Sequence, residues 1–186
     1  MTADPAGNVN MIDSPSDPAA GPGPRGSGPA RAAGRPAAPD LDEAQELLFF
    51  AFRELTAEPD RVLAERGLSR VHHRVLYFVR RNPGLGPGGL QHILRVSKQA
   101  LARPLRELAA QGLLRSEALP ENRRRKRLSL TPAGLRLERR LSELQRRRFG
   151  TAFGLLGPAA AAGWREVMCV LGGEGRRQAE AGVPRR

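Results

Sequence analysis

The stretch from Ser97 to Thr131, SKQALARPLRELAAQGLLRSEALPENRRRKRLSLT, constrains the fold of this chain more than any other. Leu101, Leu105 and Leu108 recur at helical spacing and form one apolar stripe. Ser97 stands where an N-cap accepts a hydrogen bond from an otherwise unpaired backbone N–H. At about 100° per residue, Gln99, Arg103, Arg106 and Ala110 fall on the opposite face. An amide and two guanidinium groups are the groups that read adenine and guanine edges in the major groove of DNA. Beyond the helix, Leu113 and Leu114 enter an expected strand, and Leu128 and Leu130 alternate on a return strand. The basic run Arg123, Arg124, Arg125, Lys126 and Arg127 is placed between the two strands. A helix fit for a groove, followed by a basic hairpin, predicts a winged helix that binds double-stranded DNA. Its expected contacts are Ser97, Lys98, Gln99, Arg103 and Arg106 together with the five residues of the basic run.

Upstream, Leu90, Ile93 and Leu94 mark a short helix, and Arg95-Val96 a tight turn before Ser97, which is helix-turn-helix organisation. Gly84 to Gly89 reads as a loop, and no Lys-Ser/Thr follows it to make a phosphate cradle. A helix from about Ser69 to Arg81 turns Val71, Val75, Leu76, Phe78 and Val79 inward and stops at Asn82-Pro83. Adjacent His72 and His73 diverge by about 100° and cannot share a metal ion. One is expected to be packed and the other exposed, and no metal or cofactor is implied.

The first helix starts at Asp40 and Glu43, a capping-box-like pair, and continues through Ala44, Leu47, Leu48, Ala51, Phe52 and Leu55. Phe49 and Phe50 widen its apolar surface, so it is buried on more than one side or faces a second subunit. Pro59 is expected to end it or soon to follow its end. Thr131-Pro132 opens a further helix with the stripe Leu137, Leu141 and Leu144, and Phe149, Phe153, Leu155 and Leu156 continue the apolar surface to a break at Gly157-Pro158. A last helix carries Trp164, Val167, Met168 and Leu171 and ends at Gly172-Gly173.

The net charge of +12 favours a polyanionic partner. Only Lys98 and Lys126 among the 31 basic residues are lysine, an arginine skew that a GC-rich genome imposes on any protein, so clustering carries more than the total. Cys169 is the single cysteine, which excludes an intrachain disulfide and favours a reducing compartment. No apolar run approaches the roughly 20 residues of a membrane span, and no secretory signal opens the chain. A cytoplasmic, nucleoid-associated protein is expected, with no membrane partner. Nucleophile–base pairings and carboxylate pairs in apolar settings are missing from the pattern, so no enzyme is expected.

Through HHRVLYFVRRNPG, LQHILRVSKQALARPLRELAAQGLL and NRRRKRLSLTPAG, the chain resembles the MarR (multiple antibiotic resistance regulator) family of transcription factors, from about Leu41 to Leu171. The resemblance implies an obligate homodimer whose dimerisation region is the first helix and the last two helices. It also implies one recognition helix and one wing per subunit. Many such proteins repress transcription and leave DNA when a small, often aromatic, ligand enters a cleft between the two regions; others sense oxidants through cysteine. The family's wing pattern Asp-x-Arg-x-x-Arg falls on Asn122, Arg124 and Arg127, which would put Arg124 at the wing tip in the minor groove. Asn122 replaces the aspartate and removes a charge that could orient that arginine. Arg95 stands where the turn often has glycine and favours φ > 0, at a cost of roughly 1 kcal/mol. Pro104 is expected to bend or loosen the recognition helix, at a cost of about 3 kcal/mol.

Phe49, Phe52, His72, His73 and Tyr77, with Phe50, lie on the two helices that flank the family's cleft, and they imply a small aromatic or amphipathic effector. Cys169, between Met168 and Val170 on an apolar stripe, is expected to be buried and inert. The expected fold is mainly α with a small β-hairpin wing: a winged helix-turn-helix with flanking dimerisation helices. Residues 1–39 are read as a disordered tail, 40–57 as a dimerisation helix and 68–131 as the DNA-binding region. Residues 132–172 are read as C-terminal dimerisation helices and 173–186 as a flexible tail. The implied function is a sequence-specific transcriptional regulator, a homodimeric repressor released by a small-molecule effector. The alternative is an architectural or nucleoid-type protein that binds DNA by charge and shape without a regulated operator.

Overall fold

Three helices start where the sequence places a cap. In the computed structural model, which describes residues 40–119 and 122–173 and the side chains of 40–118 and 126–173, α1 (Leu41–Ala64) begins on Asp40. Asp40 Oδ1 accepts from the backbone N–H groups of Asp42 at 3.0 Å and Glu43 at 3.3 Å. Nearly all of both expected tails lies outside the described residues. Contrary to expectation, α1 does not end at Pro59 but runs through it, past the expected boundary at 57. A helical proline withdraws one donor and crowds the carbonyl four residues back. Here the preceding turn is already altered, because Thr56 Oγ1 donates to the carbonyls of Phe52 at 2.9 Å and Arg53 at 3.2 Å. Burial of Pro59 together with Thr56, Val62 and Leu63 offsets the lost bond.

In α2 (Arg70–Arg81), the backbone N–H of Ser69 donates to His72 Nδ1 at 3.0 Å, and Asn82 closes the end by donating Nδ2–H to the Phe78 carbonyl at 2.7 Å. Both histidines are buried, which corrects the expectation of one packed and one exposed. α2 packs against α4 and α5 at once, so directions 100° apart are both covered. α3 (Pro87–Leu94) takes up the last three residues of the expected glycine loop, since Pro87 at the first helical position forfeits no bond. Arg95 caps it in the left-handed conformation, φ 53°, as expected. In α4 (Lys98–Ala110), Ser97 Oγ accepts from the Ala100 N–H at 3.1 Å. Pro104 does not interrupt α4; it joins Leu101 and Leu108 on the buried face, while Leu105 is half-buried.

β1 (Leu114–Leu119) and β2 (Asn122–Leu130) form an antiparallel hairpin. Leu114 pairs with Leu130 and Ala118 with Lys126, but the next pair is Leu119 with Asn122, which leaves residues 123–125 in excess on β2. The basic run expected between the strands therefore lies on the second strand itself. The Leu128 N–H donates to the Leu85 carbonyl at 2.8 Å and docks the wing on the α2–α3 connection. Gly86 must be glycine for this approach, because a Cβ there would stand 2.7 Å from the Lys126 carbonyl oxygen.

Thr131 Oγ1 caps α5 (Pro132–Leu171), accepting from the Gly134 N–H at 3.0 Å and donating to the Gly112 carbonyl at 2.6 Å. Gly157, at φ 82° and ψ 176°, breaks α5 into two arms where the break was expected. The second arm folds back so that Trp164 meets Phe149 and Phe153, ring centroids 5.2 and 5.6 Å away. The core, centred on Leu63, Leu76, Leu90, Leu101, Leu108 and Leu141, belongs to α2–α4, the base of the wing and the adjoining turns of α1 and α5. Residues 41–54 and most of the second α5 arm stand outside it. Cys169 is consequently exposed, not buried as expected. Among the described residues no helix is long and apolar enough to cross a membrane.

Candidate nucleic-acid interface

α4 divides cleanly. Its inner stripe is sealed into the core, so whatever the outer face carries is presented to solvent. Lys98, Gln99, Ala102, Arg103 and Arg106 are all exposed there, on consecutive turns. Ser97 is exposed too, but its hydroxyl oxygen is committed to the cap. The face thus offers an ammonium, an amide and two guanidinium groups with no acid on its outermost line. The wing stands beyond it. Lys126 and Arg127 are exposed on β2, and Arg127 Nη2 donates to Glu117 Oε2 across the hairpin at 3.2 Å. The side chains of Asn122, Arg123, Arg124 and Arg125 lie outside the described residues.

Two carboxylates that sequence reasoning passed over shape this surface. Glu107 takes Arg103 Nε on Oε1 at 2.7 Å and His72 Nε2 on Oε2 at 2.8 Å. The hydrogen bond from Arg103, followed by that from His72, holds its carboxyl below the ordinary range. The signal for the first bond was present, since Arg103 and Glu107 are four apart on one helix. Glu138, fully buried on α5, accepts from Ser142 Oγ at 2.6 Å, from Arg81 Nη1 at 3.1 Å and from Arg80 Nη1. It ties the end of α2 to the helix that leaves the wing. Adjacent Arg80 and Arg81 at a helix end were the only hint of a distant acid.

The expected effector residues are partly brought together. His73 meets Tyr77 edge to face at 6.5 Å, and the Arg81 guanidinium covers Tyr77 at 3.5 Å from the ring centroid. Phe52 lies under the Arg70 guanidinium at 5.2 Å, and Arg70 pairs with Asp60. Burial lowers the pKa of His73, and its Nε2 has no hydrogen-bond partner among the described residues. His72 stands apart from this group, turned to Ser69 and Glu107. A cavity of about 220 Å³ lies elsewhere, lined by Arg66, Leu113, Ala133, Arg136, Leu137 and Arg140.

A family model described as the MarR family matches residues 66–125. The HTH-type transcriptional regulator PetP of Rhodobacter capsulatus is 45% identical over 123 residues, covering 66% of this chain and 74% of PetP. The crystal structure of MarR superposes with a TM-score of 0.59 at 23% identity, covering 78% of this chain and 97% of that one. CouR of Rhodococcus jostii RHA1, bound to p-coumaroyl-CoA, superposes with a TM-score of 0.58 at 19% identity, covering 70% of this chain and 92% of that one.

Proposed function

This chain belongs to the MarR family of winged helix-turn-helix transcriptional regulators, and on that premise we propose that it is a homodimeric repressor, bound to a pseudo-palindromic operator and released by a small-molecule effector. The observation that carries the dimer is α1, whose residues 41–54 are all exposed in a single subunit, Leu47, Leu48, Phe49, Phe50 and Phe52 among them. So continuous an apolar face marks an interaction surface. Exposed Leu155, Trp164, Val167 and Leu171 on α5 supply a second apolar face for a partner copy to cover. A two-fold dimer sets its recognition helices about 34 Å apart, one turn of B-DNA. Lys98, Gln99, Arg103 and Arg106 then face the major groove in each half-site, and the wing, with Arg124, the minor groove.

Phe49, Phe52, His73 and Tyr77 are the proposed effector contacts. The Tyr77 ring beside the buried His73 Nε2, which has no hydrogen-bond partner among the described residues, suits a compact aromatic or amphipathic ligand, and CouR is bound to p-coumaroyl-CoA in a related fold. The ligand acts only by binding the DNA-incompetent arrangement better than the competent one.

Light scattering at micromolar concentration should give the mass of two chains, and footprinting a symmetric protected site; a monomer refutes the reading. Equal affinity for the footprinted site and random DNA favours the architectural alternative. If Cys169→Ser protein stays on its operator under peroxide while the wild type leaves, the exposed thiol is the trigger and the effector assignment fails.

A further inference from the structure

Arg103, though its side chain is 80% exposed, is not loose on the outer face of α4. Its Nε is held by Glu107, and the other oxygen of that carboxylate is held by His72, whose side chain is only 6% exposed. The protonation of His72 follows from its second contact. The backbone N–H of Ser69 lies 3.0 Å from Nδ1 and can only donate, so Nδ1 carries the lone pair. Ser69 Oγ, 3.1 Å away, can donate to the same nitrogen. In the neutral ring the proton is then on Nε2 and is donated to Glu107. A buried ring fixed by the start of α2 thus orients a carboxylate, which orients an arginine on another helix.

An isolated surface pair four residues apart holds an arginine only weakly. Glu107 differs because a buried partner has already immobilised it, so less rotamer freedom remains to be lost when it grips Arg103. The choice of nitrogen also matters. A bond at Nε leaves both terminal nitrogens unused by Glu107, and a guanidinium reads guanine by donating twice, to O6 and N7. Beside DNA the same carboxylate repels phosphate, and that repulsion is uncompensated wherever the base contact is missing.

The geometry points to Glu107 as a positioning residue for DNA specificity: braced by His72, it aims the terminal nitrogens of Arg103 at a guanine and penalises sites that lack it. This rests on the reading of α4 as the helix that enters the major groove. The test is fluorescence anisotropy of the full chain at fixed salt on three kinds of duplex: the footprinted operator, its single-base-pair variants and random DNA. Arg103→Ala alone should abolish the preference for guanine at one base pair in each half-site. Glu107→Ala should weaken operator binding by about tenfold, leave random DNA bound as well or better, and change discrimination between bases no further in the Arg103→Ala background. Glu107→Gln, which keeps one acceptor oxygen and drops the charge, should fall between.

Unchanged discrimination in Arg103→Ala overturns both this proposal and the major-groove reading of α4 at that position. Discrimination lost in Arg103→Ala but kept in Glu107→Ala overturns this proposal alone. So does an equal loss on operator and random DNA in Glu107→Ala, the mark of a merely structural role. Because His72→Ala removes a helix cap and can unfold α2, the brace is read instead in the wild type by long-range nitrogen–proton NMR. A proton on Nε2 is expected, and a proton on Nδ1 overturns the proposal.

Discussion

Replacing Glu138 with alanine should cost this protein much of its stability, by an amount that can be worked from the contacts. The side chain is fully buried on α5, yet it carries a charge shared by donors from two helices. Burial alone pushes its carboxyl up; the hydrogen bonds from Ser142, Arg80 and Arg81 together outweigh burial and hold it below the ordinary range. Truncation strands the buried Ser142 hydroxyl, worth about 1–3 kcal/mol. Arg80 and Arg81 have side chains 31% and 39% exposed, so water recovers part of what they lose. The expected total is therefore about 3 kcal/mol, the low end for breaking a buried ion pair. Urea unfolding of wild type and variant at one protein concentration measures it.

The pH dependence supplies the control. A carboxylate depressed in the folded state contributes stability that is present in full above its unfolded value, about 4.5, and lost as pH falls through the folded one. The gap between wild type and Glu138→Ala should accordingly be full at pH 7 and close in acid. A gap under about 1 kcal/mol at neutral pH, or one unchanged at about pH 3, would refute the ion-pair account.

His73 carries an acid sensitivity in a higher window. Burial depresses its pKa below 6.5, against the pull of Glu138 and Asp60, so the stability it contributes is present above 6.5 and lost as pH falls through the folded value. Unfolding midpoints at decreasing pH should drop less for His73→Leu than for wild type below neutrality, and parallel curves would count against this. Gly134→Ala should destabilise by 3 kcal/mol or more, roughly the upper range for overpacking, because its Cβ would stand 1.9 Å from the Leu113 carbonyl oxygen. Gly88→Ala, with nothing within 4 Å, should be neutral or stabilising by about 0.5 kcal/mol; equal thermal midpoints for the two variants would show that the approach of α5 to the α4–β1 connection yields easily.

What the sequence determined by itself is what a short segment decides alone. Asp40, Ser97 and Thr131 bond to N–H groups at most three residues away, so the helix starts were legible before any tertiary contact was known. Gly157-Pro158 breaks α5 for local backbone reasons, and the polar face of α4 follows from helical spacing. Several outcomes that differed from expectation depend on a partner far along the chain. Pro59 sits inside a helix because the core covers it, and both histidines of α2 are buried because α4 closes one side and α5 another. His72 meets Glu107 across 35 residues and Arg80 meets Glu138 across 58, with no periodicity to announce either pair. The basic run lies on a strand because the β1–β2 pairing goes from Ala118 with Lys126 to Leu119 with Asn122 and leaves residues 123–125 on β2. Caps and breaks are settled by bonds inside one turn, whereas which side of an element is buried, and which charge finds a partner, is settled only when separate elements pack.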